Sequence, residues 1–251
     1  MLQLSLKKLW ETILKGLVII PTYNEAENIG KIAPLALSQS KEIDVLVVDD
    51  GSPDGTADIV KSMQKKEKRL HIIEREKKDG LGRAYICGFK WALENGYDFV
   101  FEMDADFSHD PKEIVPFIDK MNEGYDAVFG SRYKNGVRVL NWPLNRLFLS
   151  VAGNVYARII TGVRLSDITG GYNLWTRPVL EKLKLDKIHS NGYSFQIEMK
   201  SKTVYSGFKV VEIPIVFQDR FEGSTKMSKK IVFEALFECW RIRFDKWFKR
   251  Y

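Results

Sequence analysis

The chain has 251 residues, of which 45% are hydrophobic and 29% charged, a composition that fits one α/β domain with at most a small appendage. Its two cysteines, Cys87 and Cys239, lie far apart without C-x-x-C spacing, which argues against zinc or a disulfide framework and makes a reducing compartment the default. The formal net charge is +6, no apolar run approaches the roughly 18 residues of a membrane span, and no signal-peptide cleavage pattern is seen, so a soluble or peripheral protein is expected.

From Leu2 to Leu17 apolar residues follow helical spacing, with Lys7, Lys8, Glu11 and Lys15 on the other side. Such a helix suits either its own domain or a membrane surface. Leu17 to Ile20 is the first strand, ended by Pro21-Thr22-Tyr23-Asn24-Glu25, where Asn24 with Glu27 suits the cap of a following helix. A second strand, Asp44 to Val48, also ends in acidic residues, Asp49-Asp50-Gly51-Ser52, and a turn leads to a helix carrying Ile59, Val60 and Met63. Leu70 to Ile73 is a third strand. Gly80-Leu81-Gly82 then permits close backbone approach at the start of a helix from Arg83 to about Asn95. His71, in an alternating pattern with no second histidine nearby, reads as a strand residue.

The fourth strand, Phe99 to Met103, ends in Asp104-Ala105-Asp106. Ligands of open α/β sheets gather beyond the carboxyl ends of strands, and paired carboxylates there suit a hard divalent cation shared with substrate phosphates. Asp is also a common turn residue, but three strands ending in polar residues at one edge favour the metal. Ser108-His109-Asp110-Pro111 opens another helix, with Pro in its first turn.

Asp126 to Gly130 is a fifth strand, followed by Ser131-Arg132-Tyr133. Pro143 to Thr161 reads as a helix apolar nearly all round, with Arg146, Ser150, Asn154 and Arg158 in one narrow stripe. Its apolar face suits either lipid, with Arg146 on an anionic head group, or a core from which the stripe reaches solvent. A glycine-rich run, Asp167 to Asn173, leads to a short strand through Trp175. Tyr193 to Met199 is a helix whose Glu198 faces the cleft or an ion pair, and Val210 to Phe217 is strand-like. Arg220 and Lys226 sit six residues apart in a loop, a pair suited to a diphosphate.

The last segment sets Phe233, Leu236, Phe237, Trp240, Phe244, Trp247 and Phe248 on one face and its lysines and arginines opposite, the composition of an interfacial membrane helix. The positive charge gathers at the two ends of the chain, pointing to an anionic surface. Nucleic acid is disfavoured, since no helix-turn-helix or zinc pattern appears and no aromatic and basic residues interleave on a sheet.

Taken in order, Pro21 to Glu25, Val48 to Thr56, Gly80-Leu81-Gly82, Asp104-Ala105-Asp106, Ser131-Arg132-Tyr133 and Arg220 through Lys226 make the chain resemble the polyprenol-phosphate (dolichyl-phosphate) mannose synthases of the inverting family 2 glycosyltransferases, from about residue 17 to 228. The resemblance implies a Rossmann-like GT-A fold with a mainly parallel sheet as a catalytic domain over 17–228, between amphipathic segments 1–16 and 229–251. It implies Pro21, Tyr23, Glu25, Val47 and Asp49 around the nucleotide and Asp104, Ala105 and Asp106 on donor and metal. Arg220 and Lys226 then take the donor diphosphate, and Arg132, Arg146 and Ser150 the acceptor phosphate. Asp106, Arg132 and Arg220 are the implied catalytic residues. Mg²⁺ or Mn²⁺ is the implied cofactor, with Asp104, Asp106 and Ser108 as its implied protein ligands, Ser108 standing where some relatives supply glutamine; Asn173 stands where arginine or lysine is frequent. Implied partners are GDP-mannose, a polyprenyl (dolichyl) phosphate and a membrane surface, with the protein peripheral on the cytoplasmic face.

Three rivals are weighed. A family 2 enzyme using glucose or another donor keeps every motif. A sugar nucleotidyltransferase needs a glycine- and lysine-rich first loop, which Pro21 to Glu25 does not provide. A membrane-associated scaffold leaves the acidic strand ends unexplained.

Overall fold

The computed structural model describes residues 14–218 and 229–248. Most of the N-terminal helix expected over 1–16, the loop carrying Arg220 and Lys226, and the side chain of Phe233 lie outside the described residues.

Nine strands are described: β1 (Gly16–Thr22), β2 (Ile43–Asp49), β3 (Leu70–Glu74), β4 (Phe99–Glu102), β5 (Ala127–Ser131), β6 (Val139–Leu140), β7 (Asn173–Thr176), β8 (Val210–Pro214) and β9 (Phe217–Gln218). The helices are α1 (Ala26–Leu37), α2 (Thr56–Gln64), α3 (Leu81–Glu94), α4 (Ile114–Asn122), α5 (Leu144–Thr161), α6 (Arg177–Lys182), α7 (Gly192–Tyr205) and α8 (Lys229–Trp247). No described helix is long and apolar enough to cross a membrane.

Seven strands form one sheet in the order β3-β2-β1-β4-β7-β5-β8, with β7 antiparallel to both neighbours and every other pairing parallel. The apolar runs read as strands are those buried on both faces: Leu17, Val18, Ile19 and Ile20 are wholly inaccessible, each contributing about 1.5–3 kcal/mol relative to exposure. Alternate residues feed two cores. Ile19, Leu46 and Val48 pack with Tyr85, Phe89 and Phe195, while Val18, Ile20, Val45 and Val47 pack with Ile32, Phe101 and Phe117.

Strand order reverses between β1 and β4, the place where a doubly wound sheet opens a crevice. β4 ends with Glu102 opposite Ile19, whereas β1 runs on to Thr22 beside Asp49. That step leaves the residues after β4 free to turn across the carboxyl edge.

Two sequence expectations change here. Asn24 does not cap α1: it lies in the left-handed region (φ +62°), and Asp54 reaches across from the next loop to accept the Ala26 N–H at 3.0 Å. The strand expected over Val210 to Phe217 divides at Pro214, whose successors leave the main sheet so that β9 pairs in parallel with β6. His71 is a strand residue, as expected, and bonds Asp44 at 3.1 Å.

Candidate active site

Pro21, Tyr23 and Glu25 from the end of β1, Asp104, Ala105, Asp106, Ser108 and His109 from the turn after β4, and Arg132, Arg146 and Ser150 all line one cavity of about 590 Å³. Val47 and Asp49 do not. Val47 is buried within β2, and Asp49 is turned into the fold, accepting from the Thr22 hydroxyl (2.7 Å) and from the backbone N–H and hydroxyl of Ser52 (2.9 and 2.6 Å). Its neighbour Asp50 takes the lining position, 2.9 Å from Arg75. Burial pushes the Asp50 carboxyl up against the pull of that guanidinium. Lys78, also on the wall, stands 4.1 Å over the Tyr23 ring.

The turn after β4 is strained where it works. Phe107 holds φ +63°, unusual for a bulky side chain, and so brings the Asp106 carboxylate back to accept from the Ser108 backbone N–H (3.0 Å) and hydroxyl (2.6 Å). The Asp104 N–H donates to His109 Nδ1 at 3.0 Å. Because its Nδ1 accepts that N–H, the His109 ring carries its proton on Nε2 and is neutral; the ring stacks on Tyr172, and burial lowers its pKa. Among the described residues no three His, Cys, Asp or Glu side chains gather as a self-sufficient metal cage. Two aspartates with room left for substrate oxygens are the donor set of a cation held jointly with phosphates. Ser108 is buried and spends its hydroxyl proton on Asp106.

The opposite wall is cationic and aromatic. Arg132 donates from Nε and Nη2 to the two oxygens of Asp167 (2.6 and 2.8 Å), and Nη2 also meets Thr169. Asp167 is wholly buried. Burial opposes its charge, but Arg132 overcomes that and holds the carboxyl well below the usual range. Its loop is fastened in turn: Glu212 accepts the N–H groups of Ser166 and Asp167, Lys200 donates to the Asp167 carbonyl, and Asn154 donates to Ser166 O and accepts from Ile168 N. Lys200 is itself buried, which lowers its pKa to about 8. Trp142 faces both arginines, its ring centroid 5.6 Å from Arg132 and 4.4 Å from Arg146. Ser150 shares a 2.7 Å hydrogen bond with the Tyr133 hydroxyl.

The polar stripe of α5 therefore divides. Arg146 and Ser150 line the cavity, Asn154 is buried holding the 166–168 loop, and Arg158 is exposed. The core-helix alternative does not hold, because Leu144, Phe148 and Ile159 are 83%, 77% and 71% exposed. Among the described side chains of α8, Cys239 and Ile242 are buried, while Phe237 (74% exposed), Trp240, Phe244 and Trp247, with Phe248 just beyond the helix, form an exposed aromatic face. The basic residues are not all opposite it. Arg241 turns inward to Glu198 (2.9 Å) and Glu238 (2.6 Å), and Arg243 donates to Thr161 O. Glu198 thus belongs to an ion pair, with Lys202 at 2.7 Å. Leu149 and Tyr156 of α5 and Ala235, Leu236 and Cys239 of α8 line the cavity, so the two apolar helices border it.

Sequence reasoning missed Asp50, Tyr85, Trp142, Thr169 and Gln196 among the residues lining this cavity. Asp50 was legible in the strand-end run it shares with Asp49. Trp142 and Gln196 carried no local signal.

Comparison with known proteins places this geometry. The model of the family described as glycosyl transferase family 2 matches residues 17–184. A polyprenol monophosphomannose synthase of Mycolicibacterium smegmatis is 45% identical over 232 residues, 91% of this chain and 88% of that protein. An undecaprenyl-phosphate mannosyltransferase of Micrococcus luteus is 44% identical over 227 residues, 89% and 91% of the two chains. The crystal structure of glucosyl-3-phosphoglycerate synthase from Mycobacterium tuberculosis, in complex with Mn²⁺, UDP and glucosyl-3-phosphoglycerate, superposes with a TM-score of 0.63 at 17% identity, over 94% of this chain and 80% of that one. The shared fold is GT-A.

Proposed function

The chain belongs to glycosyl transferase family 2, and on that footing we propose that it transfers mannose from GDP-mannose to a polyprenyl phosphate, with inversion, at the cavity just described. One observation carries the reading. A pair of aspartates and a pair of arginines open onto the same cavity, bordered by two helices with bare apolar faces. Phosphates on both substrates and a lipid tail on one account for all three features. The names of the two bacterial relatives support the same sugar and acceptor class.

A phosphate monoester with a second pKa near 6 is largely dianionic at neutral pH, so the acceptor attacks without a general base. The neutral, buried His109 is consistent with that economy. Arg132 and Arg146 hold the acceptor phosphate, and the Asp167 fork fixes the plane of the first guanidinium so that little side-chain entropy is lost on binding. Attack on the anomeric carbon from the side opposite the diphosphate inverts its configuration. Asp104 and Asp106 would hold Mg²⁺ or Mn²⁺, with Ser108 orienting Asp106. When bound, the cation neutralises charge that develops on the leaving diphosphate. Arg220 and Lys226 are assigned to the same diphosphate.

The exposed faces of α5 and α8 rest on the membrane that holds the acceptor, which makes the protein peripheral, on the cytoplasmic face. The test is incubation of purified protein with a polyprenyl phosphate in vesicles and labelled GDP-mannose, with divalent metal or with chelator, followed by lipid extraction. Label is expected in the lipid fraction with metal and not with chelator. Preference for another nucleotide sugar would overturn the donor, and no lipid product from any donor would favour the scaffold.

A further inference from the structure

Gln196 is a polar residue on the cavity wall whose hydrogen bonding is half complete. It sits in the second turn of α7 and is only 3% exposed. Its Oε1 accepts from Asn173 Nδ2 at 2.9 Å, and the same Asn173 nitrogen donates to Glu102 Oε2 (2.6 Å) and Gly170 O (3.2 Å). Asn173 is wholly buried, so the oxygen end of the Gln196 amide is fixed from behind. The nitrogen end makes no well-formed hydrogen bond. The Glu102 carboxyl is near enough to gain some stabilisation from it, but burial dominates that group and raises its pKa to about 7. A side chain added at Gly171 would come within 3.8 Å of this Nε2 and of the His109 ring, so the absence of one there keeps the space before the amide open.

We infer that Gln196 Nε2 donates to a hydroxyl of the transferred hexose and sets the enzyme's preference among hexoses. The inference rests on the mannosyl-transfer reading and extends it to one donor contact. Chemistry decides what the amide can take. A phosphate calls for the cations already supplied by arginines and metal, whereas a neutral carboxamide suits a neutral hydroxyl, which accepts from Nε2 and keeps its own proton for another acceptor. Position agrees. Asn173 pairs with Glu102 in the sheet, and Glu102 lies two residues before Asp104. With a divalent cation held by Asp104 and Asp106 and bound to the donor diphosphate, the hexose would lie beside the same strand end. A buried donor left unpaired rejects a sugar that lacks its partner, which is how a site built from one polar group discriminates between close analogues.

The test compares binding of GDP, GDP-mannose, GDP-glucose and singly deoxygenated GDP-mannose analogues by calorimetry, with Mn²⁺ present and no lipid acceptor. In the unaltered protein, removal of one particular hydroxyl is expected to weaken binding at least tenfold. In Gln196→Met, GDP should bind within twofold of the unaltered protein, GDP-mannose should lose about tenfold, and that deoxy analogue should lose nothing further. Equal loss for GDP and GDP-mannose in the variant overturns the inference. So does an unaltered protein indifferent to every single deoxygenation, a measurement that needs no variant to fold. Lipid extraction from the unaltered protein tests the transfer reaction separately: mannolipid formed with these binding results absent sinks this contact alone.

Discussion

On the wall that carries Asp104 and Asp106, short-range contacts shape the turn: Ser108, two residues on, holds the Asp106 carboxylate and His109, five on, takes the Asp104 N–H, while the Tyr85 hydroxyl reaches Asp104 from α3 at 3.5 Å. On the facing wall, Arg132 is held by Asp167, 35 residues away, and α8 is pinned through Arg241 to Glu198, 43 away. The first wall is a turn that folds with its strand. The second exists only once β5, α5, α7 and α8 have assembled. The backbone of the first wall is thus shaped mainly by near neighbours, while the cationic and apolar wall depends on the packing of the whole domain.

The sharpest break of this contrast is Asp106→Ala. If the carboxylates act only at the reaction, the variant should keep its melting temperature within a few degrees and lose at least about 10³-fold in kcat, the scale of a lost electrostatic group at a developing charge. Measured turnover beside a thermal melt decides it. Near-normal activity would remove Asp106 from the chemistry, and a collapse of stability would erase the distinction between the walls.

The same contrast explains what the sequence disclosed. The strand ends expected at 20, 48 and 103, which fall at 22, 49 and 102, the D-x-D turn and the Asp110-Pro111 helix start were legible because each depends on a run of neighbours. Asn24 misled because a capping pattern ignores a competing side chain 30 residues on, and Asp54 won that site. Asp49, expected at the nucleotide, has a position that no local pattern disclosed: Thr22 and Ser52 draw it inward and Asp50 lines the cavity. Gln196 and Asp167 had no local mark at all, since their meaning comes from partners on other elements. Arg241 and Arg243 looked solvent-facing by helical spacing, and tertiary ion pairing turned them in.

Glu198 tests how far the second wall leans on one buried charge. Burial disfavours its ionised form, yet Lys202 with its hydrogen bond, the Ser190 N–H and Arg241 together lower its pKa to about 2. Its folded pKa lies below the unfolded one, so its stabilisation is complete above about pH 4.5 and is lost as pH falls toward 2. A shift of that size corresponds to about 3 kcal/mol. Urea unfolding of Glu198→Gln at pH 7 should show a loss of about that amount, and the gap to the unaltered protein should narrow as the pH is lowered through 4. A gap that does not change with pH would mean the carboxylate charge is not what pins α8.

Arg146 should give the smallest of the three effects, and it separates anchoring from chemistry. It packs on the Trp142 face at 4.4 Å, on a helix that contributes few buried residues, so its removal should leave the fold and the Asp104–Asp106 turn in place. A charge-assisted contact to phosphate in a partly open site contributes about 1.5–3 kcal/mol. Arg146→Ala should therefore raise the KM for polyprenyl phosphate about ten- to a hundredfold, with GDP binding unchanged. Arg146→Lys should recover part of that loss, since the charge returns without the planar fork that stacks on an indole. If acceptor kinetics stay the same in the alanine variant, Arg146 lies outside the acceptor site and Arg132 alone faces the lipid phosphate. If GDP binding falls as well, the two walls are coupled, and the cavity acts as one unit instead of two surfaces built by different rules.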